Sequence, residues 1–160
     1  MKRKHMTAYD HLARLGLALP KPTLPTGPFV GARRLGTMVV ISGQVPLKDG
    51  SVLMSGHLGE NVSIAQGQEC ARWCLLNALA QLEMLCGSLN PIQGFLRLAG
   101  YVAATSNFTQ HGQVLDGASS LLQEVFPDRW QHARAALGVC SLPRGVPVEI
   151  ELTAVVDDKG

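Results

Sequence analysis

The chain has 160 residues, of which 46% are hydrophobic and only 16% charged, and this balance excludes a disordered polypeptide and suits one domain with a single core. Removing Lys2, Arg3 and Lys4 from the 14 basic residues leaves 11 against 12 acidic ones, so the folded part is about neutral. Neither nucleic acid nor a membrane is therefore an expected partner. No apolar run approaches the ~20 residues that cross a bilayer.

The chain is predicted to begin with a segment that stands outside the main domain. Residues 1–6 have no periodicity and are predicted to be a leader. Apolar residues then recur at helical spacing from Thr7 to Leu19, which predicts a short helix that ends before Pro20. Residues 1–26 thus form a leader and short helix, and residues 27–160 a single domain. The apolar run behind the basic start is too short for an export signal, so a cytoplasmic protein is expected.

Two strands are predicted next, over residues 29–33 and 37–42, with a hairpin turn at residues 34–36. Residues 38–41 (MVVI) form a continuous run rich in β-branched side chains, which is typical of a strand buried on both faces. Lys48, Asp49 and Gly50 follow as a turn, and one further short strand is expected before Gly59.

A long helix is predicted over residues 61–86, where apolar residues recur every three or four positions. Ser63 and Gln66 have the spacing of a capping box, and Gly87 is the expected residue after the last turn.

An almost wholly apolar strand is predicted over residues 95–104. A second helix is then expected to begin at a cap formed by Ser106 or Asn107 and to end near Val125. His111 falls on its inner stripe, where a core histidine is the more typical interpretation than a metal ligand.

The C-terminal region contains two more runs with strand-like alternation, residues 133–140 and 148–156. In the first, Arg134 shares a face with the small residues Ala136 and Gly138, so its guanidinium has room for a ligand beside it. In the second, Glu149 and Glu151 share a face. Two interpretations stay open: a carboxylate-binding arginine with a catalytic glutamate, or a plain ion pair between neighbouring strands.

The element order is strand, strand, helix, strand, helix, strand, strand, which predicts an α+β fold with a mixed sheet. Right-handed crossovers place both long helices on one face of that sheet. The strands at residues 38–41 and 95–104 are apolar on both sides, so the second face is expected to be covered by further copies of the chain.

Several short motifs, in this order, resemble the RidA family (YjgF-like, reactive intermediate deaminases). Residues 27–30 (GPFV) are similar to the family's G-P-Y-V, and residues 42–46 (SGQVP) to its S-G-Q-x-P. Residues 133–134 (AR), 142–143 (LP) and 148–151 (VEIE) resemble the family's C-terminal motifs. The longer central region resembles a subgroup of longer members.

The resemblance implies a chorismate-mutase-like α+β fold and a homotrimer with ligand sites between subunits. It also implies hydrolytic deamination of reactive 2-imino or enamine acids to 2-oxo acids and ammonia without a cofactor. The expected partners are a small carboxylate substrate and two further copies of the chain. The alternative is a homotrimer that binds a small carboxylate without catalysis. A ribonuclease or translation inhibitor is less consistent with a neutral surface.

The resemblance also assigns residues. Arg134 is expected to bind the substrate carboxylate, Glu149 to place the attacking water, and the Ala136 backbone to help orient it. Ala136 replaces the family's cysteine, and Phe29 replaces its tyrosine. Gly43 joins Phe29 among the residues expected to bind the substrate.

No cofactor or metal is expected. The histidines are scattered, and no nucleotide-binding glycine motif is present. The four cysteines have no C-x-x-C spacing, and they are expected to be reduced thiols.

Overall fold

Between residues 6 and 158, the part of the chain that the computed structural model describes, three helices and seven strands form an α+β fold. The helices are α1 (Ala8–Arg14), α2 (Ile64–Cys86) and α3 (His111–Val125). The strands are β1 (Ala32–Leu35), β2 (Met38–Gln44), β3 (Leu47–Lys48), β4 (Ser51–Val52), β5 (Ile92–Ala103), β6 (Ala133–Val139) and β7 (Val148–Val156). The predicted leader lies outside the described residues, apart from Met6.

The main sheet has five strands in the order β1-β2-β7-β5-β6. Its neighbouring strands are antiparallel except β5 and β6, which are parallel. The sheet is therefore mixed, as predicted, with β7 at its centre and β6 at one edge. The other two strands, β3 and β4, form a small separate hairpin around the predicted turn at Asp49 and Gly50.

Both long helices lie on one face of this sheet. The Sγ of Cys74, in the middle of α2, donates to the Val148 carbonyl of β7 at 3.5 Å. Leu115 of α3 occupies the space that a side chain on Gly100 of β5 would need. Alternate residues of β7 from Val148 onward are buried beneath the helices, as are Val39 and Ile41 of β2. The predicted fold class is confirmed.

The predicted capping box and stop of α2 are confirmed, although the helix begins at Ile64 instead of residue 61. The Ser63 hydroxyl accepts from the Gln66 N–H while the Gln66 side chain accepts from the Ser63 N–H, which is a complete capping box. Gly87 ends the helix with φ 78°, a left-handed conformation that favours glycine. Among the described residues, no helix is both long enough and apolar enough to cross a membrane.

The start of α3 differs from its prediction. The helix begins at His111 with Gln110 as its cap residue, and no side chain caps it. Asn107 does not act as a cap, because its side-chain oxygen accepts from the Thr105 hydroxyl at 2.8 Å. His111 is partly exposed and contacts the Phe108 ring edge to face, with 5.2 Å between ring centroids. The prediction that His111 belongs to the core is therefore wrong.

Two strand boundaries also move. The first strand begins at Ala32 instead of residue 29, and the hairpin turn falls at residues 36–37, where Gly36 takes a φ of 58°. Residues 29–31 instead run beside β2, held by the Ser42 N–H, which donates to the Gly31 carbonyl at 2.9 Å. Strand β5, which was predicted over residues 95–104, begins at Ile92.

The second face of the sheet is uncovered in the single chain. Its margins are apolar and exposed, with fractional exposures of 83% for Leu35, 46% for Met38, 49% for Val40 and 50% for Leu137. Its centre is polar, because Arg97 and Tyr101 of β5 lie opposite Thr153 and Glu149 of β7. The expectation of strands apolar on both faces is correct at the margins and wrong at the centre.

Candidate functional site

Glu149 lies on this second face, in the central strand β7, beside Gly43 of β2. The pairing of β2 with β7 shifts register between Ile41 and Gln44, and the irregularity brings Gly43 against the glutamate. A Cβ added to Gly43 would overlap the Glu149 carboxylate. Glycine at position 43 is therefore what allows the carboxylate to lie against the backbone of β2.

The Glu149 side chain is half-buried, and burial raises the pKa of its carboxyl above the ordinary value. The neighbouring Glu151 carboxylate raises that pKa further. A carboxyl with a raised pKa is a better proton acceptor and donor near neutral pH. Glu149 thus has the environment of an acid–base group.

Glu151, the second carboxylate on the same face of β7, has a different environment from Glu149. It is exposed, and its Oε2 accepts a hydrogen bond from the Tyr101 hydroxyl at 3.0 Å. This bond is the largest cause that raises the pKa of Tyr101. One oxygen of Glu151 is therefore engaged within the sheet face, whereas no protein donor bonds Glu149 in the described structure.

Phe29 and Gly43 line one small cavity of about 150 Å³ at the end of β2. Phe29 is 59% exposed, and its segment is held to β2 by the Ser42 hydroxyl, which donates to the Val30 carbonyl at 2.6 Å. Of the sequence-predicted residues, Gly43 thus lies against Glu149 and shares a cavity with Phe29. We call these three residues the glutamate half-site.

Two further residues, Gln81 and Arg144, line the same cavity and were not predicted from the sequence. Gln81 is buried in α2, and its Nε2 donates to the Thr23 carbonyl at 2.7 Å. Its Oε1 has no hydrogen-bond partner within residues 6–158. Arg144 has a φ of 59° in a short 3₁₀ turn, a conformation uncommon for a non-glycine residue. The signal for Gln81 was a pair of amides, with Asn77, one turn apart in an otherwise apolar helix.

Arg134 lies on the opposite face, in the edge strand β6, and reaches across to α3. Its Nη1 donates to the Asp116 carboxylate at 2.9 Å and to the Ser119 hydroxyl at 3.1 Å. As predicted, it shares its face with Ala136 and Gly138, because alternate residues of a strand point the same way. We call Arg134 and Ala136 the arginine half-site. No sequence pattern had singled out Asp116 or Ser119.

Beyond Ala136 the same face of β6 leads to a second cavity, of about 440 Å³. Gly138 forms part of its wall, and a side chain there would overlap the His111 ring. The other lining residues are mostly small, apolar or hydroxylated: Ala104, Thr105, Ser106, Phe108, Val139 and Cys140.

One chain does not bring the two half-sites together. Strand β5 separates β6 from β7, and two strand spacings are roughly 10 Å. Arg134 lies opposite Leu98, which in turn lies opposite Leu152, while Glu149 lies three residues earlier and on the other face. The alternative of an ion pair between Arg134 and a glutamate of the last strand is therefore wrong, because the ion-pair partner of Arg134 is Asp116.

The chain has four cysteines, residues that can form disulfides or act as nucleophiles. All four are free, and Cys70 and Cys74 are buried in α2. Burial raises the pKa of the Cys70 thiol to about 12, so a thiolate nucleophile is disfavoured there. Within residues 6–158, no group of three or more His, Cys, Asp or Glu side chains could hold a metal ion.

The fold and its two half-sites define a class of protein: an α+β domain with two helices on one face of a mixed sheet and candidate ligand residues on both faces. The pattern of the family described as "YjgF/chorismate mutase-like, putative endoribonuclease" matches residues 10–150. The chain belongs to this YjgF-like family, which includes the RidA proteins.

Three individual proteins are similar to this chain over most of its length. The chain is 34% identical over 142 residues to Protein TCP17 of Trypanosoma cruzi, covering 88% of this chain and 89% of that one. The crystal structure of a protein of unknown function from Agrobacterium tumefaciens has 34% identity and a TM-score of 0.88 over 94% of this chain and 92% of that chain. A "putative endoribonuclease" from Shewanella oneidensis has 31% identity and a TM-score of 0.91 over 94% of this chain and the whole of the other.

Proposed function

We propose that the protein is a cofactor-independent deaminase in the cytoplasm that hydrolyses 2-imino acids and their enamine tautomers to 2-oxo acids and ammonia. The observation that carries the proposal is the half-buried Glu149 carboxyl, whose pKa is raised and which lies against Gly43, a residue that lines an open cavity. Family membership supports it through the resemblance to reactive intermediate deaminases.

The reaction balances as imino acid plus water to 2-oxo acid plus ammonia. Glu149 takes a proton from water while the water oxygen forms a bond to C2 and the C=N electron pair moves to nitrogen. Glu149 passes this proton to nitrogen, which gives a carbinolamine. Glu149 then takes the hydroxyl proton and delivers it to the same nitrogen as the C–N bond breaks, so that ammonia leaves and the C=O bond forms. Arg134 holds the substrate carboxylate through paired N–H donors, and the Ala136 carbonyl helps orient the water.

The two half-sites can act on one substrate only if they come from different chains. We therefore propose a closed homotrimer in which the β6 edge of one subunit lies against the β1–β2 margin of the next. The exposed apolar residues at the two margins support this arrangement, with Met38 and Val40 on one side and Leu137 on the other. Sedimentation equilibrium at micromolar concentration should give about three times the 17.1 kDa chain mass. A stable folded monomer would contradict the shared site.

The activity is tested by generating imino acids with an amino-acid oxidase and following the release of 2-oxo acid. We expect the wild-type protein to accelerate release and Arg134→Ala to abolish that acceleration. Arg14→Ala serves as the control, because Arg14 is an exposed arginine on α1 that lines neither of the two cavities beside the half-sites. Equal acceleration by wild type and Arg134→Ala would overturn the proposal.

A second candidate is a carboxylate-binding homotrimer without catalysis, because Phe29 and Ala136 carry no reactive group where the family has tyrosine and cysteine. Stabilisation of the fold by 2-oxo acids with no turnover of imino acids would favour it. The ribonuclease activity suggested by the names of relatives is less consistent with a nearly neutral domain. Salt-sensitive RNA cleavage by a rigorously purified sample would favour that activity instead.

A further inference from the structure

Arg134 is already ion-paired in the single chain. The Asp116 carboxylate lies 2.9 Å from Nη1, and the Ser119 hydroxyl, one turn along α3, binds the same nitrogen at 3.1 Å. These two bonds fix the plane of the guanidinium and leave Nε and Nη2 for a ligand. Nη2 lies 3.5 Å from the position that a Cβ on Gly112 would take, so a side chain at residue 112 would contact the guanidinium.

The ion pair also changes which charges the half-site accepts. A first ligand carboxylate can still form paired hydrogen bonds with Nε and Nη2, which are strong because of their geometry. A second negative charge on the ligand adds little to the binding free energy. Asp116 already offsets the charge of Arg134, and its carboxylate repels further anions over several ångströms.

On its own chain, the space beside the arginine half-site offers no second cation within residues 6–158, and Arg144 lies in the other cavity, with Phe29 and Gly43. The cavity that follows Ala136 along β6 is lined by Phe108, Val139, small residues and His111, with neither lysine nor arginine among them. A ligand side chain that extends from Arg134 along this face meets a wall without lysine, arginine or carboxylate side chains. A terminal carboxylate placed there would lose hydration without a partner.

We propose that Asp116 makes the arginine half-site selective for monocarboxylates with an uncharged side chain, over dicarboxylates of the same length. The inference rests on the proposed role of Arg134 in carboxylate binding, and it narrows the substrate class to 2-imino acids derived from neutral amino acids. In this role Asp116 acts through Arg134 and is a selectivity-determining residue.

The test compares two 2-oxo acids of five carbons, 2-oxopentanoate and 2-oxoglutarate, which differ in a methyl group against a carboxylate at the far end. Their dissociation constants for the full chain are measured by calorimetry in the same buffer and at the same pH for both ligands. We expect wild type to bind 2-oxopentanoate at least about tenfold more tightly, and Asp116→Asn to shrink that ratio several-fold.

Three variants separate charge from geometry and from the fold. Ser119→Ala removes a hydrogen bond but keeps the charges, and Asp116→Glu keeps the carboxylate, so both should retain the wild-type ratio. Glu124→Gln removes an exposed carboxylate elsewhere on α3 and should also leave the ratio unchanged. A ratio, unlike a single affinity, is insensitive to any general loosening of Arg134.

The outcomes distinguish this inference from the proposed function. If Asp116→Asn leaves the ratio at its wild-type value, or Glu124→Gln lowers it equally, selectivity by Asp116 is overturned. The same holds if Ser119→Ala lowers the ratio as much as Asp116→Asn does. If 2-oxopentanoate binds equally well to wild type and Arg134→Ala, carboxylate binding at Arg134 is itself wrong, whatever the ratios.

Discussion

The two half-sites differ in almost every physical respect. The glutamate half-site lies between central strands on the uncovered face, and its carboxyl is half-buried with a raised pKa. The arginine half-site lies on an edge strand on the helix-covered face, exposed, with its charge compensated by Asp116. The comparison indicates that a single subunit carries the two half-sites on opposite faces of its sheet. In the proposed mechanism, the two half-sites act together only in the proposed homotrimer.

The largest expected effect separates the two glutamates of β7. Glu149→Gln should lower kcat for imino acid hydrolysis by about 10²-fold or more, because the amide cannot accept the proton of water. Glu151→Gln should cost far less, because the bonded Tyr101 hydroxyl can still donate to the amide oxygen. Stopped-flow measurement of 2-oxo acid release gives both values. Equal losses in the two variants would contradict the assignment of Glu149.

A smaller but more specific effect tests whether the half-sites come from different chains. Arg134→Ala and Glu149→Gln are each expected to be inactive as homotrimers. After unfolding and refolding together in equal amounts, about a quarter of the subunit interfaces would combine an intact Arg134 with an intact Glu149. Activity should therefore return to about a quarter of the wild-type value. No recovery in verified mixed trimers would show that each site lies within one chain.

A methyl group at Gly43 should perturb the glutamate half-site alone. The added Cβ of Gly43→Ala would overlap the Glu149 carboxylate, so the side chain must move or the strands must shift. We expect a loss of about 1–3 kcal/mol in the free energy of unfolding, as for other overpacked positions. Chemical denaturation measures this loss, and 2-oxopentanoate binding at Arg134 should weaken much less. Gly36→Ala is a poor control, since Gly36 has a positive φ.

The smallest effect concerns pH. Burial and Glu151 raise the pKa of Glu149 in the folded state above its unfolded value, so the folded chain holds a proton that the unfolded chain has already released. This contribution to stability is present below the ordinary carboxyl pKa and is lost as pH rises through the folded pKa. Relative to Glu149→Gln, the wild type should lose stability over that window and then level off. Denaturation of both proteins at equal concentration, from mildly acidic to neutral pH, measures the difference. A difference independent of pH would contradict the raised pKa.

Much of the fold followed from local patterns in the sequence. The capping box at Ser63, the stop at Gly87 and the alternation in residues 148–156 each depend on neighbours within a few positions, and the structure contains all three. The start of α3 was mispredicted because Thr105 engages Asn107, a local competition that hydrophobic periodicity does not register.

The candidate site was likewise predicted only in part from the sequence. Sequence motifs predicted Phe29, Gly43, Arg134 and Glu149 as site residues, and alternation within one strand placed Arg134 on the face of Ala136. Strand order and register determine that Arg134 and Glu149 lie on opposite faces of the sheet. The position of β5 between their strands is determined by tertiary pairing. The contacts of Arg134 with Asp116 and of Glu149 with Gly43 join residues 18 and 106 positions apart, and no local pattern encodes a contact between such distant residues. Their geometry is decided by the packing of α3 on β6 and by the register shift between β2 and β7.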